Sequence, residues 1–428
     1  MFRGRQRLFS ALATTGVGVL LLSSCASPGP ETDAPDAGGP QAGVEFGASK
    51  EEWIAAFEDV EPFEIRAQTP GPQGSLGSIA WEEYYESLEE YSGGKITVDL
   101  GYAYAYAAAN EVDEAISDGT LDMGPILPTY DPAKYPAFST MSNLTYLTSQ
   151  SPLVATLHAN TYLNTAAWAT PEIVEEFRSD GIEPIWLANS TAPTAIICGD
   201  PIESLAGAQG LQSQASSPAA GLQLQAIGMT PVAVPFTDVF ESIQRGVLQC
   251  TNTNPGYAHL FGVMEVAPFV HFAPQAGIVH TPGNFGANAD WFSSLPLVAR
   301  QLIWDRQTLF FARTVETTWE SLLDAIQAAE SSGGRAIDFA GDIQDALVKN
   351  GNDPLRQQAI DAPDVNGEAL VEILEAAAAD WLAVIESFGF DPDVTLNDLG
   401  AWLADNDPDL AGFVDEMAQD FILEHRPN

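Results

Sequence analysis

The chain has 428 residues and is strongly acidic, with 59 Asp and Glu against 16 Lys and Arg and a formal net charge of −43. Such a surface repels phosphate backbones, so nucleic-acid binding is excluded as a function class. Adaptation of the surface to salt or crowding explains most of this acidity, and attraction of a cationic ligand is the alternative. The length exceeds one typical core, so two lobes are expected.

The N-terminal residues have the pattern of an export signal. Residues 1–24 carry three arginines, then an apolar run over 8–22, then two serines directly before Cys25. This order is typical of a signal peptide, and the run is too short for a spanning helix of about 20 apolar residues. Leu22-Ser23-Ser24-Cys25 resembles the bacterial lipobox, whereas an ordinary cleaved signal that happens to contain a cysteine is the alternative. The resemblance implies a lipid anchor on Cys25 and an extracytoplasmic location, at the outer face of the cytoplasmic membrane or in the periplasm.

Residues 25–50 are rich in Ala, Pro, Gly, Asp and Glu and lack apolar periodicity, which predicts a disordered tether. The remaining cysteines are Cys198 and Cys250. Outside the cytoplasm two thiols can pair, so a disulfide and two buried free thiols are both open. No CxxC or Cys/His spacing indicates a metal site.

From Glu64 onward, short apolar runs alternate with helical patterns, which predicts an α/β domain built from βα units. Strands are expected at 64–68 and 96–100, with an amphipathic helix from Trp81 to Tyr91 between them. A helix over 111–117 and a third strand follow.

A βαβ unit is predicted over 228–250, with a strand at 232–234, a helix ending at Gly246 and a strand beginning at Val247. The segment 391–428 is predicted to be an extra acidic helical extension. Packing on a lobe is the favoured interpretation of this extension, and docking of a partner is the alternative.

Five segments carry a resemblance to a known family. In chain order they read SGGKITVDL, AISDGTLDMG, DPIESLAG, AIGMTPVAVPFTDVFESIQRGVLQC and WFSSLPLVARQLI. Their order and spacing resemble the solute-binding proteins of TRAP (tripartite ATP-independent periplasmic) transporters, of the C4-dicarboxylate-binding-like kind and in lipoprotein form. The resemblance covers roughly residues 63–389.

This resemblance implies an α/β fold of the two-lobed, periplasmic-binding-protein-like (type II) clamshell kind, with hinge strands and a helical C-terminal extension. Lobe I is expected over 62–187 with return segments near 275–330, and lobe II over 188–274. A helical C-terminal part of the fold is expected over 331–390.

The resemblance also implies a receptor that captures a small polar solute between its lobes and delivers it to TRAP membrane permease subunits. A non-transport sensor or surface-interaction lipoprotein of the same fold is the alternative. No enzyme is expected, since no nucleophile is paired with a base and no HExxH or GxSxG motif is present. No cofactor is expected.

A solute site should lie between the lobes, on loops where strands end. The candidate ligand-binding residues are aromatic or amide side chains on such loops: Gln68, Tyr104, Tyr106, Tyr130, Trp186, Asn189, Gln212, Gln214, Phe236, Asn254 and Tyr257. For each tyrosine, packing within a lobe is the alternative.

One residue of the family pattern is missing. Family members usually hold a ligand carboxylate with an arginine after Asp-Leu-x-Gly-x-x-x, but the corresponding run here, 204–211, lacks it, and no Arg or Lys lies between Arg178 and Arg245. Either Arg66 reaches the cleft, or the ligand is not an ordinary acid anion. The second explanation is favoured, because Arg66 lies inside a predicted strand and could face solvent or pair with an acid. A neutral, polyhydroxylated, zwitterionic or cationic solute suits the aromatic and amide residues.

Overall fold

The computed structural model describes residues 43–406 and 410–428. The predicted signal peptide, Cys25 and most of the predicted tether lie outside the described residues. The strands are, in chain order, β1 Phe63–Gln68, β2 Ile96–Gly101, β3 Met123–Ile126, β4 Ile182–Asn189, β5 Ala195–Cys198, β6 Gln212–Gln214, β7 Thr230–Val232, β8 Cys250–Thr253, β9 Phe269–Phe272, β10 Gly283–Asn288 and β11 Arg335–Asp338.

The α-helices are numbered in the same way. They are α1 Lys50–Ala56, α2 Ile79–Tyr91, α3 Val112–Ser117, α4 Pro136–Ser142, α5 Ala155–Trp168, α6 Pro171–Ser179, α7 Leu205–Ala208, α8 Pro218–Ala226, α9 Val239–Gln244, α10 Pro255–Leu260, α11 Ala289–Ser294, α12 Leu297–Asp305, α13 Gln307–Ser331, α14 Gly341–Leu347, α15 Asp353–Ile360, α16 Gly367–Ser387, α17 Leu399–Asn406 and α18 Ala411–Met417.

The strands form two sheets, each the centre of one lobe. The first has the order β2-β1-β3-β10-β4, and the second has the order β11-β9-β5-β8-β6-β7. In the first sheet β1 runs parallel to β2 and β3, while β10 runs antiparallel to β3 and β4. In the second sheet β6 runs parallel to β7 and β8, and β5 runs antiparallel to β8 and β9. The predicted α/β class with two lobes is confirmed.

The chain crosses between the sheets at residues 190–194, from β4 to β5, and at 273–282, from β9 to β10. The prediction that 331–390 is a helical part of the fold was wrong at its start, because β11 pairs with β9 in parallel at the edge of the second sheet. The predicted strand at 232–234 is displaced as well, since β7 ends at Val232 and Pro235 precedes a short 3₁₀ turn.

The apolar positions of helix α2 that were read from the sequence are the ones that pack in the core of the first lobe. Its face with Trp81, Tyr84 and Leu88 is buried, and the glutamates lie on the other side. The Trp81 ring meets Phe285 of β10 edge-on at 4.8 Å, and the Tyr84 hydroxyl donates to the carbonyl of Ile303 at 2.9 Å. Burial of such aromatic side chains is the largest favourable contribution to this core.

The predicted tether extends too far, because residues 43–50 are part of the folded lobe. The N–H of Val44 donates to Oε1 of Gln301 at 2.8 Å. Ser49 caps α1 in a capping box with Glu52, which satisfies two backbone N–H groups at the helix start. The composition of residues 25–50 did not reveal where the folded lobe begins, because an acidic stretch with a single capping motif has the composition of a solvated segment.

The C-terminal extension packs on the first lobe through α17, α18 and a π-helical turn, Ala418–Ile422. The indole Nε1 of Trp304 donates to the carbonyl of Ile422 at 2.8 Å, and Trp168 stacks on His425 at 4.2 Å. Packing on a lobe was the favoured interpretation of this segment, and these contacts agree with it.

Cys198 and Cys250 form a disulfide. They lie opposite each other in the antiparallel pair of β5 and β8, and both are buried. Of the two alternatives left open by the sequence, the structure has the disulfide and not the free thiols.

A buried ion pair holds the C-terminus to the lobe. Nε and Nη2 of Arg426 donate to the two carboxylate oxygens of Asp305 at 2.7 and 2.9 Å, and Nη2 also donates to the carbonyl of Val44. The side chains of Arg426 and Asp305 are only 13% and 7% exposed. Burial raises the pKa of Asp305, although Arg426 opposes this shift.

Substitution Arg426→Ala should lower the free energy of unfolding by about 3 kcal/mol at neutral pH, because the charge of Asp305 is then buried without a partner. This loss should shrink at mildly acidic pH. In the variant, Asp305 lacks the guanidinium that opposes the upward shift of its pKa, so its pKa in the folded state lies further above the value in the unfolded state. As the pH falls, Asp305 of the variant is therefore protonated and its buried charge is removed. Urea denaturation at both pH values measures the effect.

The matched control is Arg245→Ala, which removes an exposed pair with Glu241 one helical turn away. This change should cost less than about 0.5 kcal/mol. Equal losses for the two variants would contradict the importance of the buried pair.

Candidate functional site

The parallel strands of both sheets end at the edges joined by the crossing segments. Loops 101–107 and 127–131 follow β2 and β3 of the first lobe, and loops 215–217 and 254–257 follow β6 and β8 of the second. Ligands of α/β proteins bind at such carboxyl ends. These loops are therefore the candidate site.

Tyr104 is held in an unusual backbone conformation. Ala103 and Tyr104 have φ values of 52° and 58°, which are rare for residues other than glycine. The N–H of Ala103 donates to the carbonyl of Gly71 at 3.0 Å, and that of Tyr104 donates to the carbonyl of Thr69 at 3.1 Å. Strain of this kind persists only where the surroundings determine it, and it is concentrated at functional sites.

Tyrosines from the two lobes lie close to one another. Burial raises the pKa of Tyr104 well above its usual value, and the neighbouring phenols of Tyr257 and Tyr130 raise it further. Burial also raises the pKa of Tyr257, with a second contribution from Tyr130. Tyr104 and Tyr130 belong to the first lobe and Tyr257 to the second, so phenols of the two lobes are near enough to interact electrostatically.

Phe236 extends this group on the second lobe. Its ring lies 4.8 Å from Tyr257 and 5.3 Å from Phe261, and Tyr257 lies 4.9 Å from Phe261. Tyr257 remains 47% exposed and Tyr130 61% exposed. We call Tyr104, Tyr130, Phe236 and Tyr257 the interlobe aromatic cluster. The sequence-based prediction missed Phe261, although its spacing of four from Tyr257 puts both on one helix face.

Gln68 is hydrogen-bonded to the backbone of the loop that carries Tyr104. It is fully buried, its Oε1 accepts the N–H groups of Tyr106 and Ala107 at 3.1 Å, and its Nε2 donates to the carbonyl of Ala107 at 3.1 Å. The predicted ligand contact is corrected to a positioning role for the loop that carries Tyr104.

Trp186 lies in the core of the first lobe, so its prediction as a ligand contact was wrong. Its Nε1 donates to Oδ1 of Asn160 and to the carbonyl of Ala188, and its ring packs against Phe311 and Phe421. The side chain of a strand residue that precedes the crossing segment can point toward the helices of its own lobe as readily as toward the other lobe.

The amide side chains of the second lobe have structural partners. Oδ1 of Asn254 caps α10 by accepting the N–H of Tyr257, while Nδ2 donates to the carbonyls of Thr191 and Pro193 in the crossing segment. Gln214 is buried, with Oε1 accepting from Oγ1 of Thr251 at 2.7 Å and Nε2 donating to the carbonyl of Ala215.

Gln212 is exposed at the start of β6, at the end of the strand away from these loops, so the structure does not place it in the site.

The hydroxyl of Tyr106 is engaged outside the interlobe aromatic cluster. Its hydroxyl donates to Oδ1 of Asp99 at 2.6 Å, and Nε of Arg66 donates to Oδ2 of the same carboxylate at 3.1 Å. The hydroxyl of Tyr106, followed by Arg66, holds the pKa of Asp99 below its usual value. Arg66 therefore pairs with an acid, one of the two outcomes its strand position allowed.

Two of the side-chain atoms that are buried without a hydrogen-bond partner lie close in sequence to the candidate loops and the crossing segment. Oδ1 of Asn189 lies at the end of β4, and Oγ1 of Thr129 lies beside Tyr130 in the loop after β3. Buried polar groups are normally satisfied, so each unpaired atom calls for a partner. Asn189 was predicted for the site. Thr129 was not, because a threonine after a strand carries no distinctive sequence signal.

The buried histidines have structural roles. Burial lowers the pKa of His158 to about 4 and that of His280 to about 3. The ring nitrogens of His280 bond Oγ1 of Thr148 at 2.9 Å and Oγ of Ser190 at 3.0 Å, which ties the first lobe to the crossing segment.

The fold and this arrangement define a class of protein, the two-lobed extracytoplasmic receptors that bind a solute between their lobes. A family model for bacterial extracellular solute-binding proteins, family 7, matches residues 67–361. This match covers more than half of the chain, so the chain belongs to that family.

Solved TRAP solute-binding proteins share the fold. One from an unidentified marine microbe, specific for aromatic acids and in complex with 3-hydroxybenzoate, is 17% identical with a TM-score of 0.64, over 75% of this chain and 99% of that chain. One from Sulfitobacter sp. NAS-14.1 with bound β-D-galacturonate is 15% identical with a TM-score of 0.60, over 73% and 100%. An apo open structure from Marinobacter aquaeolei VT8 is 20% identical with a TM-score of 0.60, over 73% and 100%.

Family membership makes the chain an extracytoplasmic solute-binding receptor of the TRAP type, a family that binds small molecules and works with membrane permeases. It is not a family of enzymes. The predicted family and main function are confirmed, and transport is favoured over the sensor alternative. Among residues 43–406 and 410–428, none of the helices has the length and apolar content of a membrane span.

Substitution Gln68→Ala should lower the free energy of unfolding by about 2 kcal/mol, because three part-buried backbone groups at Tyr106 and Ala107 lose their partner. Gln212→Ala is the matched control, since this glutamine is exposed, and it should change the free energy by less than about 0.5 kcal/mol. Denaturant titration of the two variants measures both values. A smaller loss for Gln68→Ala than for Gln212→Ala would refute the positioning role.

Proposed function

We propose that this receptor captures an uncharged or cationic solute with an aromatic or polyhydroxylated face, and that it does so while anchored to the membrane through lipidated Cys25. The observation that carries the ligand class is the interlobe aromatic cluster, which has phenols from both lobes and no guanidinium among its members.

The cluster suits a flat or hydroxyl-rich solute. The faces of Tyr257 and Phe236 offer stacking surface, and aromatic faces also attract cations. The hydroxyls of Tyr104, Tyr130 and Tyr257 are protonated at physiological pH, as tyrosines normally are, and burial raises their pKa values further, so each can both donate and accept.

The unpaired amide oxygen of Asn189 points in the same direction. Oδ1 of Asn189 and Oγ1 of Thr129 each lack a hydrogen-bond partner. A ligand that carries hydroxyl or ammonium groups can donate to the amide oxygen of Asn189, which a carboxylate cannot do, whereas the hydroxyl of Thr129 can pair with a donor or with an acceptor. The Asn189 candidate from the sequence is thereby retained as a proposed ligand contact, together with Tyr104, Tyr130, Phe236 and Tyr257.

Recognition of a carboxylate normally uses a charge-assisted, often bidentate, hydrogen bond from arginine. Here Arg66 is engaged by Asp99, and the sequence has no Arg or Lys between Arg178 and Arg245. The net charge of −43 opposes capture of an anion as well. The marine-microbe and Sulfitobacter relatives above are complexes with acids, so the ligand proposed for this chain differs from theirs in charge.

Two matched ligand series test the proposal. Benzylamine, benzyl alcohol and benzoate share a ring, and galactosamine, galactose and galacturonate share a sugar, while the charge changes within each series. We expect the cationic or neutral member of at least one series to bind saturably in titration calorimetry, and the acid of that series to bind at least about tenfold more weakly.

Variants locate this binding. Tyr257→Ala should weaken it by about tenfold through loss of the aromatic face, whereas Tyr106→Phe, which removes only the hydroxyl bonded to Asp99, should leave it unchanged. Saturable binding of benzoate or galacturonate that is lost in Arg66→Ala would reject the ligand class and leave the receptor function intact.

The proposed anchor has its own support in the Leu22-Ser23-Ser24-Cys25 sequence. A tethered receptor stays near a permease in the same membrane, which raises its effective concentration there. Substitution Cys25→Ser should move the protein from the membrane fraction to the soluble extracytoplasmic fraction and abolish labelling by radioactive palmitate. Retention of the variant in the membrane with undiminished label would contradict the anchor.

A further inference from the structure

A cavity lies where the C-terminal extension meets both lobes. It has a volume of about 220 Å³ and is lined by the loop before α5, by Phe272 and Pro274 at the end of β9, by the end of β11, and by residues 392–397. Oγ of Ser151 donates to the carbonyl of Val394 at 2.7 Å, which fixes the extension against the first lobe at this place. The cavity exceeds the roughly 30 Å³ share of a single water several times over.

The cavity contains an acceptor without a donor. Gln150 is 5% exposed and belongs to the lining, and its Oε1 is buried and accepts no hydrogen bond. Its Nε2 has only a long contact of 3.4 Å to the carbonyl of Thr148. A buried amide oxygen of this kind normally has a partner, so the position next to it favours a donor-bearing group.

Two carboxylates, Asp338 of β11 and Asp393 of the extension, also line the cavity. Neither forms an ion pair within the described chain, and no Lys or Arg is part of the lining. Desolvation raises the pKa of Asp338, in accord with a carboxylate that has no cation beside it. The hydroxyl of Thr395 is already donated to Asp398 at 2.6 Å, so the lining offers mainly acceptors.

We infer that this cavity is a binding site for a small organic cation, a primary ammonium compound with a short apolar part, separate from the interlobe aromatic cluster. The ammonium group donates to Oε1 of Gln150 and to the carboxylates of Asp338 and Asp393. Its apolar part lies against Phe272 and Val394. No group of three or more His, Cys, Asp or Glu residues in the described chain is arranged to hold a metal ion, which favours an organic cation over a metal.

The site joins three parts of the molecule. Gln150 belongs to the first lobe, Asp338 to the second lobe and Asp393 to the extension. A ligand that contacts both lobes binds one interlobe arrangement better than another, so it shifts the equilibrium toward that arrangement. Occupancy of this cavity therefore changes the affinity of the interlobe site, and the coupling is reciprocal.

Titration calorimetry of the full-length protein with ethylammonium chloride at constant ionic strength tests the site. We expect saturable binding that is weakened about tenfold or more in Asp338→Asn and in Gln150→Met, because each loses a hydrogen-bond acceptor for the ammonium group. Asp345→Asn is the matched control, since Asp345 is an exposed acid of α14 outside the cavity lining, and it should bind as the wild type does. Thermal unfolding of each variant verifies that it is folded.

Further outcomes decide the question. Ethanol, the neutral analogue, should not bind, and Tyr257→Ala should leave ethylammonium binding at this site intact even if the proposed ligand class of the interlobe site is wrong. Equal weakening by Asp338→Asn and Asp345→Asn, or full displacement by sodium ions, would show a diffuse counterion effect and overturn the proposal. Absence of saturable binding would overturn it as well.

Discussion

The side-chain amide of Asn254 links the helix that carries Tyr257 to the chain that crosses between the lobes. Its oxygen accepts the N–H of Tyr257 in the first turn of this helix, and its nitrogen donates to the carbonyls of Thr191 and Pro193 in the crossing segment. The position of Tyr257 is thus tied to the crossing segment through the side chain of Asn254. On the other lobe Gln68 has the corresponding role for Tyr104, again with an amide that bonds only to backbone.

The architecture was largely predictable because its signals are local. Glycine after α2, the 3.6-residue spacing of Trp81, Tyr84 and Leu88, and the short apolar strands each follow from chain geometry near the residue concerned. Strand β11 escaped prediction because four residues after a long helix gain their strand character from pairing with β9, which is distant in sequence. The disulfide between Cys198 and Cys250 could not be decided from the sequence for the same reason, because the pairing of β5 with β8 brings together two residues that are distant in sequence.

The candidate site was predictable as a set of loops and less so residue by residue. Tyr104, Tyr130, Phe236 and Tyr257 meet because parallel strands end at one edge, a consequence of topology. Amides were the weak point, because a buried Gln or Asn that organises backbone looks the same in sequence as one that binds a ligand. The missing arginine remained informative, since Arg66, the substitute that the sequence offered, is paired with Asp99.

The disulfide lies at an instructive place in the second lobe. It joins β5, which receives the chain from the crossing segment, to β8, which leads to Asn254 and Tyr257. A rotation of the crossing segment therefore cannot be absorbed by slippage between these two strands. The second lobe is expected to turn as one rigid body, so that a few degrees at the hinge become a translation of the Tyr257 ring toward or away from Tyr104. Rotation of the rigid second lobe about the crossing segment, rather than flexibility of the loops, would then set how wide the receptor opens.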